Sequence, residues 1–248
     1  VKFLTVSRCT AGVALALALT ACKGAEPLGG EQPKTEIFVL VDLSETWHDK
    51  ENAEVERKNQ NLLRTIGRGI SLYADSAEPP LLIQYRVIGS ASLNREPICR
   101  ATYMPTLVGG GNKDPFRIRS RKKLEKYLSI DCPRVIIARP PEDRTEISAA
   151  IASVAEKPRG KKALRYMIIA SDFLEETNAP EPLPVGALAG TKVLLLYRPV
   201  SPDREVGGQM TARIESWRQS LEQFGAVVTK VPDSGYEQSD LVSFLSPK

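Results

Sequence analysis

The chain predicts an α/β fold: a doubly wound, mostly parallel central sheet with helices on both faces and one antiparallel edge strand. Two observations carry this expectation. Short apolar runs recur at 35–41 (TEIFVLV), 166–170 (YMIIA) and 192–197 (KVLLLY), the pattern of strands buried on both faces. Amphipathic stretches of helical period alternate with them. At 210–224, for example, Ile214, Trp217, Leu221 and Phe224 share one face and Gly225 follows as a stop.

The remaining elements fit the same plan. Residues 52–74 predict a helix with Leu62, Leu63, Ile66, Ile70 and Tyr73 on one stripe. Residues 81–88 and 98–103 are β-like and separated by a polar Gly/Ser/Asn stretch, which suits an antiparallel edge hairpin. Gly109, Gly110 and Gly111 mark a loop, 116–128 reads as a basic helix, and 134–138 (RVIIA) as a short strand. A helix is expected over 145–155, a Pro-rich loop over 178–190, a last strand over 226–231 and a terminal helix over 238–245.

Composition sets outer limits. The 248 residues are 42% hydrophobic and 26% charged, enough to bury a full core. Formal net charge is +4, and Lys2 and Arg8 supply two of those charges within a segment expected to be removed. The near-neutral remainder makes no electrostatic case for nucleic acid.

Residues 1–21 predict a signal peptide. Lys2 and Arg8 form a positive n-region, and 11–19 (AGVALALAL) is an apolar core too short to span a bilayer. Leu19, Thr20, Ala21 and Cys22 follow, and this tetrad resembles the lipobox of bacterial lipoproteins. The resemblance implies cleavage before Cys22, lipidation of its thiol and membrane attachment through that lipid. With Lys23 next, it implies the outer membrane or periplasm in a Gram-negative cell. The other reading is an ordinary secretory signal that contains a cysteine. Residues 22–34 then form a Gly- and Pro-rich tether, and 35–248 the folded domain. Cys99 and Cys132 are left in an oxidising compartment, so they are expected to pair as a disulfide; two buried thiols are the alternative.

The chemistry concentrates at 42–46 (DLSET), where the first strand ends. Alternate side chains of an extended segment face one way, so Asp42, Ser44 and Thr46 can converge. One carboxylate with two hydroxyls is an oxygen set suited to a hard cation such as Mg²⁺; turn and cap hydrogen bonds would use the same residues. Asp172 follows the YMIIA strand, and Thr145 stands on the loop after RVIIA, both expected at the same sheet edge. Ligands of wound α/β sheets bind outside that edge, where the strand order reverses.

Over about residues 35–245 the chain resembles the von Willebrand factor A domain. That family's metal-ion-dependent adhesion site uses D-x-S-x-S/T after the first strand, a later Thr and an Asp after the fourth strand. The matches are Asp42, Ser44 and Thr46, then Thr145, then Asp172. The resemblance implies a site for Mg²⁺ (or Mn²⁺ or Ca²⁺) that recruits a protein partner, naturally through an acidic side chain, and no catalytic residues. Ser44, Thr46 and Thr145 would contact the ion directly, and Asp42 and Asp172 directly or through water. Two departures stand out. Phe173 replaces the usual Gly after the Asp, and Glu142, Asp143 and Arg144 replace the Gly pair before the Thr.

Other functions fit less well. A haloacid-dehalogenase-type phosphohydrolase needs a second carboxylic acid where Ser44 stands, and a serine cannot protonate a leaving group. A metal-free scaffold using another surface is the remaining alternative. His48, the only histidine, lacks the motif partners of a triad or zinc site and is expected on an exposed loop. Trp47 either rims the site or packs against the loop, and Trp217 is expected in the core. The run Arg117, Arg119, Arg121, Lys122, Lys123 predicts a solvated face or a contact with anionic lipid headgroups near the anchor.

Overall fold

Nearly every residue of the first strand is an apolar side chain or the close neighbour of one, and the fold uses both faces of it. In the computed structural model, which describes residues 32–77, 79–104, 115–158, 163–176, 183–198 and 209–246, β1 (Thr35–Asp42) is buried along its whole length. The signal segment, Cys22, most of the tether and the Gly109 loop lie outside the described residues.

The order along the chain is β1, α1 (Ala53–Tyr73), β2 (Leu81–Ile88), β3 (Cys99–Tyr103), α2 (Pro115–Lys126) and α3 (Cys132–Ile137). Then come α4 (Ile147–Ala155), β4 (Leu164–Ala170), β5 (Thr191–Tyr197), α5 (Gln209–Gln223), β6 (Val227–Pro232) and α6 (Gln238–Leu245). The six strands lie in the order β3-β2-β1-β4-β5-β6. Only β3 is antiparallel, pairing Tyr103 with Leu81 and Cys99 with Tyr85 at the edge.

Alternation within β1 builds two cores. Ile37, Val39 and Val41 face Leu63, Ile66 and Ile70 of α1 and Leu241 and Leu245 of α6. Phe38 and Leu40 face Ile151 and Val154 of α4 and Ile214 and Leu221 of α5. Each fully buried aliphatic side chain contributes about 1.5–3 kcal/mol, so the doubly buried strands dominate the stability. α1 starts cleanly because Asn52 accepts hydrogen bonds from the Glu54 and Val55 amides, with Glu54 and Glu56 in its positive first turn.

One expected strand is a helix. Residues 134–138 were read from sequence as extended, but α3 continues the α2 helix through a wider π-type turn at Tyr127–Asp131. Four apolar residues after an arginine cannot separate the two periods. The deciding feature is Pro133 in the first turn of α3, with Ile136 and Ile137 buried and Val135 turned outward. The turn lies against α1 closely enough that a Cβ at Gly67 would fall 2.3 Å from the Leu128 carbonyl oxygen.

Cys99 of the edge strand and Cys132 of α3 are joined by a disulfide with Cα atoms 6.0 Å apart. It ties the five-residue β3 to the helical layer across 33 residues of sequence. Closing a loop of that length removes denatured-state entropy worth about 4 kcal/mol. Urea denaturation of the Cys99→Ser/Cys132→Ser variant should therefore show a loss of about 2–4 kcal/mol. An unchanged midpoint would mean that the bond adds nothing to the fold.

Candidate metal centre

The strand order reverses between β1 and β4, so the crevice lies where their carboxyl ends separate. β1 ends at Asp42 and β4 ends one residue before Ser171. The two loops that follow meet there.

Asp42 is fully buried. Its Oδ1 accepts the Ser44 amide at 2.8 Å, and its Oδ2 accepts the Ser171 hydroxyl at 2.6 Å. The Ser44 and Thr46 hydroxyls lie 3.2 Å apart, and the Thr46 hydroxyl donates to Asp172 Oδ2 at 2.7 Å. Hydrogen bonds thus link Asp42 through the Ser44 amide, and the Ser44 hydroxyl through Thr46 to Asp172, although the loops are 126 residues apart in sequence.

Thr145 reaches the same edge by a different route. The Glu142 amide donates to the Leu43 carbonyl at 2.8 Å, forming an isolated parallel bridge that lays this loop beside Ser44. The Thr145 amide donates to Glu176 Oε2, and the Glu176 amide to the Thr145 carbonyl, both at 3.0 Å. Thr145 is itself buried and is positioned by its backbone, with no side-chain hydrogen bond to the other four residues.

The two departures from the family pattern have structural answers. Phe173 holds φ at +60°, the left-handed conformation that a glycine adopts without cost. Its ring is fully buried in the α4–α5 core, 6.4 Å from the Trp217 ring, while its amide donates to the Ser171 hydroxyl at 2.8 Å. Burial of the ring offsets a backbone strain on the order of 1 kcal/mol. Glu142 turns from the crevice into a bidentate pair with Arg95, where its carboxylate fills the space that a side chain at Gly89 would need.

Several helpers were not singled out from sequence. Ser171 links Asp42 to the Phe173 backbone, and Glu176 clamps the Thr145 loop. Arg213 and Trp217 of α5 donate to the Asp172 and Phe173 carbonyls, each at 3.1 Å. A serine at a strand end and a glutamate in a loop carry no periodic signal, so only three-dimensional contacts reveal them.

The two residues beside the motif are interior. His48, expected on an exposed loop, is 1% exposed, and burial lowers its pKa, which keeps the ring neutral. Trp47 packs under the loop, with the Arg198 guanidinium 4.5 Å from its ring centre and its carbonyl held by Asn59.

The donor set fits a hard divalent cation. Asp42, Ser44, Thr46, Thr145 and Asp172 offer oxygen only. Among the described residues no three His, Cys, Asp or Glu side chains group as a metal site, so any ion here must use the hydroxyls. Burial raises the Asp42 pKa to about 6 against the pull of the Ser171 and Ser44 hydrogen bonds, and the neighbouring Asp172 raises it further. A cation between the carboxylates would relieve both effects.

The strand order 3-2-1-4-5-6, its antiparallel edge strand and the motif loop at the reversal point settle the architecture. The fold is von Willebrand A-like. No protein-family model matches the chain, and no curated protein matches it in sequence. Among solved structures it is similar to BatB, a conserved hypothetical protein of Bacteroides thetaiotaomicron, at 16% identity over 85% of this chain and 97% of that one, with TM-score 0.41. It is similar to the SpRpn10 VWA domain at 12% identity, covering 86% and 95%, with TM-score 0.39. It is also similar to proximal thread matrix protein 1 of the mussel byssus with a zinc-occupied MIDAS motif, at 14% identity, covering 86% and 46%, with TM-score 0.41. At such identities and scores the fold assignment rests on the chain's own strand order.

The raised Asp42 pKa has a signed consequence in metal-free protein. The folded state binds this proton more tightly than the unfolded chain, so its stabilising effect is complete below about pH 4 and is lost as pH rises through about 6. In EDTA, the stability of Asp42→Asn relative to wild type should climb across that interval by up to about 3 kcal/mol and stay level above it. Any cost of turning the amide toward Ser171 is independent of pH, so urea melts at stepped pH isolate the slope. A flat difference would mean an unperturbed carboxylate.

Proposed function

We propose that the domain is a binding module, anchored at the cell envelope through Cys22, that recognises a protein partner through a divalent cation held by Asp42, Ser44, Thr46, Thr145 and Asp172. The observation that carries this reading is the hydrogen-bonded chain of oxygens joining the β1 and β4 loops at the reversal point of the sheet. Five protein oxygens cannot complete six-fold coordination, and a bound Mg²⁺ or Mn²⁺ would offer an open position to an acidic side chain of the partner.

The chain's own residues divide the work. Ser44 and Thr46 present hydroxyls from one loop, and Thr145 presents another from a loop pinned on both sides. Asp42 and Asp172 supply the negative charge, Asp42 from within the core and Asp172 at the surface side of the chain of oxygens. A binding role suits this set better than phosphoryl transfer, because Ser44 occupies the position where a second carboxylic acid would be required. Among the described residues no helix is long and apolar enough to cross a membrane, and the attachment proposed here is the Cys22 lipid.

Thermal melts with and without Mn²⁺ test the site. Saturating metal should raise the wild-type melting temperature by several degrees, leave Asp42→Ala unmoved, and bind Thr46→Ala at least tenfold more weakly. Partner retention from envelope extract should fall in EDTA and in Asp42→Ala alike. Retention that ignores both would favour the metal-free scaffold. Phosphoester turnover abolished by Asp42→Ala would favour the hydrolase.

A further inference from the structure

The basic stretch at α2 is not used by the metal centre, and its net positive charge is larger than that of the whole chain. Residues 115–137 hold seven basic and two acidic side chains, a net +5 that exceeds the +4 of the whole sequence. The rest of the chain therefore sums to a net charge of −1, and this helical segment is one of its most basic stretches.

Its inner and outer faces differ. Arg121 pairs with the Asp75 carboxylate at 2.5 Å, and Arg117 donates to the Asp75 carbonyl, so these two fasten α2 to the end of α1. Ile118, Arg119, Lys122, Lys123 and Lys126 line one shallow hollow of about 550 Å³ on the outer face. Lys126 is paired with Asp131. Among the described residues Arg119, Lys122 and Lys123 are exposed and make no ion pair. An apolar Ile118 among cationic heads is the composition of a surface that meets headgroups and the outermost acyl carbons.

The position of the helix decides between partners. α1 runs back across the sheet, so Asp75, just past its end, lies at the edge where the strands begin. Tyr103, which pairs with Leu81 at the start of β2, marks the same edge. The chain enters the sheet there as well, with the Lys34 amide donating to the Pro80 carbonyl at 3.0 Å before β1. Gln32 stands ten positions beyond Cys22, a reach of at most about 36 Å, comparable to the width of a domain this size. A lipid on Cys22 would favour this edge over the metal edge facing the bilayer.

We propose that the α2 face carrying Arg119, Lys122 and Lys123 is a second membrane contact. It docks on anionic lipid headgroups and orients the domain with its metal centre away from the bilayer. Each Lys or Arg held near an anionic surface strengthens binding several-fold, and the effect fades with salt over a Debye length.

The mature chain from residue 22 onward, with Cys22→Ser, tests this surface independently of the lipid and of the metal site. In EDTA and low salt it should co-sediment with vesicles of 30% phosphatidylglycerol in phosphatidylcholine, and release as salt is raised. It should leave pure phosphatidylcholine in the supernatant. Arg119→Glu/Lys122→Glu/Lys123→Glu should weaken binding at least tenfold while melting as a folded protein. The equal charge change Arg57→Glu/Arg139→Glu/Arg144→Glu, at the metal edge, should weaken it much less. Equal losses in both triple variants would reduce the effect to net charge and overturn the assignment. So would binding to neutral vesicles, or no binding by the parent chain.

Discussion

A carboxylate sealed inside the protein, with no cationic side chain beside it among the described residues, is the constraint around which the crevice is organised. Asp42 ends the most buried strand, and its oxygens are satisfied by one amide and one hydroxyl. Burying an uncompensated charge costs several kcal/mol, which the raised pKa of this group expresses. Such an arrangement is costly as structure and useful as a site, since a small cation converts the penalty into binding energy.

The neighbouring loops are held in place from outside the crevice. α5 grips the backbone after β4 through Arg213 and Trp217, and the buried Phe173 ring locks its left-handed turn. Glu176 and the Glu142 bridge fix the Thr145 loop from two directions. None of these contacts uses the hydroxyls of Ser44, Thr46 or Thr145, so an ion would displace only the hydrogen bonds among Ser44, Thr46 and Asp172. A bulky residue at position 173 is thus compatible with the site geometry, with packing in place of glycine's freedom.

Much of this was legible in the sequence because burial on both faces writes a continuous apolar run. β1, β4 and β5 are read that way, and the edge hairpin follows from the polar break between β2 and β3. The motif Asp42, Ser44, Thr46 is local and therefore readable, and Asp172 is placed by the strand before it. Residues 134–138 mislead because four apolar residues fit either period, and a proline in a first helical turn outweighs their β-branching. His48 was misplaced because a lone polar residue in a loop gives no sign of what folds over it. Here the segment after α3 does so, as Lys50 reaches the Ala138 carbonyl. Ser171 and Glu176 act through long-range hydrogen bonds, which leave no pattern in sequence.

The most direct measurement of the central claim is anomalous diffraction from crystals of the domain soaked in Mn²⁺. The account predicts one strong peak within bonding reach of the Ser44 and Thr46 hydroxyls, lying between the Asp42 and Asp172 loops. A crevice without anomalous density at saturating Mn²⁺, or an ion bound elsewhere while these hydroxyls keep their mutual hydrogen bonds, would contradict it.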